Sequence, residues 1–120
     1  MASNRGFTLI ELMVVMTILG ILISIAVPQY SKYRTHAYDT QAKMDLRGVA
    51  IAEEAYYVDS ESYLACANET CRSLPGITAL SKGVLLAIDS TETGFVGTST
   101  HKKGSGKTFT WDTSQGGAIN

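Results

Sequence analysis

The sequence predicts an α+β fold: a long N-terminal helix, kinked near Pro28, whose C-terminal half packs on a small antiparallel β-sheet. Three observations predict it. Residues Phe7 to Val27 form an apolar run long enough to cross a membrane as a helix; a helical apolar pattern continues past Pro28 to about residue 58; and from Gly83 onward short β-rich segments alternate with turn residues. The chain has 120 residues, enough for one small domain beside that run. Ten Lys plus Arg face 11 Asp plus Glu, a net charge of −1, and the sequence pI is about 6.1. Such a balance gives no overall basic field and no specific nucleic-acid site. With 45% hydrophobic residues the chain is not disordered, and its mean hydropathy of +0.07 averages a greasy segment with a polar one.

The greasy segment is FTLIELMVVMTILGILISIAV, in which only Thr8, Glu11, Thr17, Gly20 and Ser24 are not apolar. As a helix its 21 residues extend about 31 Å, close to the ~30 Å hydrocarbon core of a bilayer. Ahead of it lies MASNRG, carrying Arg5, so the charge rule places the N-terminus in the cytoplasm and the residues after Val27 outside. Lys32 and Arg34 beyond the span weigh against that orientation. A cleaved secretory signal, with Ser24-Ile25-Ala26 as a small-x-small site, is one reading, but the apolar run is longer than a signal core and holds an acid. A plain anchor leaves Glu11 without a purpose, although a carboxylate in hydrocarbon costs a few kcal/mol. No Lys or Arg lies three or four residues from Glu11. A cation within reach would be a new amino terminus, were the chain cut before Phe7, on a neighbouring copy packed alongside with an axial stagger; a misaligned copy would then leave a charge unpaired.

Arg5-Gly6-Phe7-Thr8-Leu9-Ile10-Glu11-Leu12, followed by Met13-Val14-Val15, resembles the prepilin signature of type IVa pilins, the prepilin N-terminal methylation family. The resemblance covers the leader and roughly the first half of the chain. It implies that prepilin peptidase cuts between Gly6 and Phe7 and methylates the new amine of Phe7, and that Glu11 pairs with the N-terminus of a neighbouring subunit during filament assembly. It divides the chain into a leader (1–6), a transmembrane and filament-core helix (7–28) and an extracellular globular domain that includes the second half of the helix (29–120). Removing the leader leaves 120 − 6 = 114 residues and a balance of 9 − 11 = −2. The implied function is that of a structural subunit of a type IV pilus. It would be an inner-membrane precursor handled by prepilin peptidase and the pilus assembly machinery, then a homo-oligomeric helical filament on the cell surface serving adhesion, twitching motility or DNA uptake. Alternatives are a type II secretion pseudopilin and a secreted binding domain with an ordinary signal peptide.

Pro28 removes a helical hydrogen bond and crowds the preceding turn, so a hinge between Gly20 and Pro28 is expected; pilins with a matching Gly and Pro lose helicity there in filaments. Beyond it Tyr30, Tyr33, Ala37, Met44, Ile51, Ala55 and Val58 fall near heptad spacing, and Ala42, Leu46, Val49 and Ala50 widen the face. Lys43, Asp45, Glu53 and Glu54 fall between these positions. The helix is expected over residues 7–58, stopping at Asp59-Ser60-Glu61-Ser62. Phe7, Tyr30, Tyr33, Tyr38, Tyr56 and Tyr57 lie along it, with Tyr63 just past its end. This placement resembles the aromatic-rich pilins of metal-reducing bacteria, for which filament conduction has been proposed; packing with a polar tip in water is the structural alternative.

The second half reads as strands at Gly83–Asp89, Gly94–Thr98 and Lys107–Asp112, joined by turns at Thr91–Gly94 and His101–Gly106, in a sheet of three or four antiparallel strands. Its core is expected from Leu85, Ile88, Phe95, Phe109 and Trp111. Cys66 and Cys71 lie on the oxidising side of the membrane, where a disulfide is their expected state. Metal binding is the rival, but one cysteine pair without a neighbouring His lacks a ligand set. By resemblance, major pseudopilins often carry calcium in place of a disulfide.

Other motifs fail on inspection. Gly104-Ser105-Gly106-Lys107-Thr108 has His101 where a phosphate-binding loop needs its first glycine. Asn68-Glu69-Thr70 is a three-residue glycosylation pattern. His36 and His101 stand alone in the sequence, and Asp89 with Glu92 reads as a solvated turn. No catalytic constellation, metal site or cofactor is expected.

Overall fold

A computed structural model describes residues 2–117 and 119–120. Met1 of the expected leader lies outside them. The first element is α1, Leu9–Ser60, which contains Pro28 and runs unbroken through Gly20. It starts two residues later than the apolar pattern because Thr8 caps it from outside, and it ends where Glu61 turns to a φ of 52°. The chain divides into two units, between Tyr33 and Arg34.

In the first unit every described residue is exposed, including all the apolar side chains of the greasy run. α1 is long and apolar enough there to cross a membrane.

In the second unit the remainder of α1 covers a four-stranded antiparallel sheet. The strands are β1 (Cys66–Ala67), β2 (Val84–Ser90), β3 (Phe95–His101) and β4 (Phe109–Asp112), ordered β1-β2-β3-β4. One row of partners crosses the sheet from Cys66 to Ile88, Gly97 and Trp111. β3 buries alternate residues, Phe95, Gly97, Ser99 and His101, as period-two geometry requires. The core joins Leu46, Val49 and Ala50 of α1 to Leu86, Ile88, Phe95 and Phe109 of the sheet, with Cys66, Cys71 and Leu74 closing one side. Gly97 permits the close approach: a Cβ there would stand 2.7 Å from Ile88 Cδ1 and 2.8 Å from Leu46 Cδ1.

Several expectations change. The buried helical face is Asp39, Ala42, Leu46, Val49, Ala50 and Glu53, with Ala52 beside it, whereas Met44, Ile51 and Val58 are exposed. Met44 and Ile51 each follow a buried residue by two positions, a rotation of about 200° that puts them on the far side of the helix. Ala37 and Ala55 are exposed as well. In β2 the inward residue is Leu86 and not Leu85, which is 43% exposed; Leu85 and Ile88 are three apart and so cannot share a face of a strand. Trp111 is half-buried against the core. β3 runs three residues past its expected end, to His101. The fourth strand is the two-residue segment that starts at Cys66, too short to carry a periodic pattern.

Candidate functional site

The lone acid of the apolar run sits in a capping box. The Glu11 backbone N–H donates to Thr8 Oγ1 at 3.2 Å, and the Thr8 N–H donates to Glu11 Oε2 at 3.0 Å. These residues hold the N-cap and N3 positions of α1, so two otherwise orphaned N–H donors are satisfied reciprocally. Thr8-Leu9-Ile10-Glu11 carries the Thr-x-x-Glu signature of this contact openly, although no Lys or Arg lies three or four residues from Glu11. Thr17 Oγ1 donates to the Met13 carbonyl at 2.8 Å and Ser24 Oγ to that of Ile21 at 2.7 Å. The run therefore folds its own hydroxyls back onto backbone, and Glu11 is its one ionisable side chain. Phe7 is 93% exposed beside it, and a Cβ at Gly6 or Gly20 would meet open space.

In the second unit Cys66 and Cys71 form a disulfide, with Cα atoms 5.1 Å apart. It closes β1 onto the 3-10 turn Asn68–Ser73. Asn68 takes a left-handed φ of 50° and its Oδ1 accepts from the Leu86 N–H at 3.0 Å; Thr70 Oγ1 donates to the Ala67 carbonyl at 2.7 Å. Both polar ends of the glycosylation pattern thus have structural partners.

Three acids of α1 hold three loops. Asp39 Oδ1 accepts from the Ser105 N–H at 2.9 Å, Asp45 Oδ2 from that of Ser81 at 2.8 Å, and Glu53 Oε2 from that of Leu64 at 2.9 Å. The Ser105 hydrogen bonds hold the Asp39 carboxyl below its ordinary value, whereas burial pushes that of Glu53 up. His101, isolated in the sequence, is buried; its ring stacks on Tyr38 at 4.5 Å between centroids. The aromatic group at the end of α1 is in contact: Tyr63 stacks on Tyr57 at 4.7 Å and tilts against Phe95 at 5.0 Å. None of these groups assembles a nucleophile with a base, and among the described residues no three His, Cys, Asp or Glu cluster to hold a metal.

Fold and site define a class: a capped, exposed apolar helix long enough to cross a membrane, followed by a small disulfide-bonded α+β domain. The family model described as the prokaryotic N-terminal methylation motif matches residues 1–27. The chain is 41% identical over 66 residues to the type IV major pilin protein PilA of Myxococcus xanthus, covering 55% of this chain and 30% of that one. It is 37% identical over 67 residues to a fimbrial protein of Pseudomonas aeruginosa, covering 56% and 44%. It is also 47% identical over 61 residues to the type II secretion system core protein G of Pseudomonas aeruginosa, covering 51% and 43%. The chain spans less than half the length of these relatives. The likeness to type IV pilins thus lies in the N-terminal half of the chain, and the long helix with its small antiparallel sheet is a pilin-like α+β architecture.

Proposed function

We propose that the chain is a structural subunit of a type IV pilus, with no catalytic role. The observation that carries this reading is the apolar run Phe7 to Val27, helical from Leu9, whose side chains are all exposed and which holds a single carboxylate near its start. Lipid covers such a segment in a precursor anchored in the inner membrane, and copies of the same helix cover it in a filament on the cell surface. Prepilin peptidase would cut between Gly6 and Phe7, separating the leader from the span and leaving Thr8 and Glu11 in place. Glu11 then has one oxygen on the Thr8 N–H and a charge to offer the Phe7 amine of a neighbouring subunit. Moving from lipid to a bundle keeps apolar surface dry while that charge gains a partner. Gly20 and Pro28 supply the hinge on which the helix adjusts to its neighbours.

Electron microscopy of filaments sheared from cells tests the reading. Wild-type chain is expected in surface filaments, while Glu11→Ala stays in the membrane and gives few or none. Normal filament yield from Glu11→Ala would remove the pairing role of Glu11. The likeness to a type II secretion core protein supports a second reading, a periplasmic pseudopilus, which predicts no surface filament. The Cys66–Cys71 disulfide supports the pilus, because major pseudopilins often carry calcium in its place.

A further inference from the structure

The net charge of −1 hides a local excess of the opposite sign. Lys82, Lys102, Lys103 and Lys107 sit at the start of β2 and just beyond β3; without them the balance is 10 − 4 = 6 basic against 11 acidic residues. β2 and β3 pair so that Val84 faces His101, and the Lys102 N–H donates to the Gly83 carbonyl at 2.9 Å, so residues distant in sequence share one end of the sheet. A cleft of about 460 Å³ opens there between Tyr38 and Gln41 of α1 and the side chains of Lys82, Lys102 and Lys103.

His101 builds this cleft. Its Nδ1 accepts from the Lys103 N–H at 3.0 Å, which leaves the ring proton on Nε2, 3.1 Å from the Lys82 carbonyl that accepts it. One buried imidazole thus fixes the backbone at Lys82 and Lys103, while all three lysine side chains remain exposed. Two carboxylates of α1 bonded to the flanking loops are engaged: Asp39 by the Ser105 N–H, and Asp45 by the Ser81 N–H and by the Ser81 hydroxyl at 3.1 Å. Gly83, at a φ of 84°, lies against the His101 ring, where a Cβ would come 3.0 Å from Cε1.

We propose that the cleft between Tyr38 and Lys82, Lys102 and Lys103 binds phosphate groups of anionic phospholipids while the chain is anchored in the membrane. The proposal rests on the anchored-precursor reading above. A nucleic acid fits less well, because His101 already stacks on the Tyr38 ring that a base would use. A lipid surface fits because of the tether. Tyr38 follows Pro28 by ten residues, a tether of about 33 Å when fully extended, so the cleft can reach the surface in which the span is anchored. Headgroups extend about 5 to 7 Å beyond the hydrocarbon, and their field reaches a further Debye length of about 8 Å at physiological salt. The acidic remainder of the chain is repelled by the same surface, which orients the domain with its lysines toward the lipid.

Hydrogen exchange on the full chain in nanodiscs tests this. In discs containing one quarter phosphatidylglycerol, amides of residues 82–83 and 102–107 are expected to exchange several-fold more slowly than in pure phosphatidylcholine. The difference should vanish in 0.5 M salt and in K82Q/K102Q/K103Q, with the protection of β2 and β3 unchanged as evidence of an intact fold. Equal exchange in both discs overturns the proposal. So does equal protection in phosphatidylcholine discs by millimolar inorganic phosphate, which would make the cleft a site for free phosphate, or stronger protection by a single-stranded oligonucleotide. A chain that enters neither disc contradicts the anchored reading and takes the proposal with it.

Discussion

Glu53, on the buried face of α1, holds the chain beyond the helix by accepting the Leu64 N–H on Oε2 at 2.9 Å, while its Oε1 has no hydrogen-bond partner among the described residues. The side chain is fully buried and its carboxyl is pushed up by burial, with the Leu64 hydrogen bond opposing and the neighbouring Glu54 adding to the shift. A carboxyl raised in the folded state contributes stability below its unfolded value that is lost as pH rises through the folded one. Urea unfolding of the solubilised full chain should therefore show Glu53→Gln gaining on wild type as pH rises from about 4.5 to about 8. Glu53→Ala strands the Leu64 N–H and should lose about 1 to 3 kcal/mol. A Gln variant whose stability tracks wild type across that range would show that Glu53 does not titrate with folding.

Gly97 stands where α1 meets the sheet, with Leu46 and Ile88 in the space a side chain would need. Gly97→Val should destabilise the domain by about 1 to 3 kcal/mol by overpacking. The same change should weaken the bond from Ser99 Oγ to the Ala42 carbonyl, 2.8 Å in the wild type, and so speed exchange across β3. Unchanged urea midpoints would mean that the helix can move off the sheet at little cost.

The disulfide closes a loop of six residues, for which the chain-entropy account gives about 2 kcal/mol. Reduction should lower the unfolding midpoint accordingly and free β1 first, since this two-residue strand pairs through just Ile88 and Ala87 among the described residues. Exchange at Cys66 and Ala67 reads this directly, and loss of protection beginning instead in β3 or β4 would contradict it.

At the other end of the chain, capping and charge can be separated. Thr8→Ala removes the N-cap hydroxyl and should fray the first turn of α1 at a cost of about 1 kcal/mol. Glu11→Gln keeps an acceptor for the Thr8 N–H but no charge, so helicity measured by circular dichroism should be retained while filament yield falls. Equal filament yield from the Gln variant and wild type would assign Glu11 to helix capping alone.

Much of this was legible in the sequence wherever a pattern is long. The apolar run, the helix stop near Ser60 and the antiparallel strands after Gly83 follow from periods repeated over many residues. The core face was harder to read. Two apolar stripes run along the second half of α1, and the heptad stripe through Met44 and Ile51 is the exposed one, because the sheet selects Ala42, Leu46 and Val49. Glu53 reads as a surface charge until a loop 11 residues away supplies its donor. His101 reads as isolated because Tyr38 and Lys82 reach it only through the fold. The Thr8–Glu11 box is local and was available from spacing alone.

Assembly through Glu11 requires Phe7 to become the first residue of the working subunit. Intact mass and N-terminal sequencing of chain recovered from cells that assemble it measure this most directly. The expected result is a terminus at N-methylated Phe7, with residues 1–6 gone. A terminus at Val27, left by cleavage after Ala26, would make the apolar run a secretory signal and contradict the assembly of this chain through Glu11.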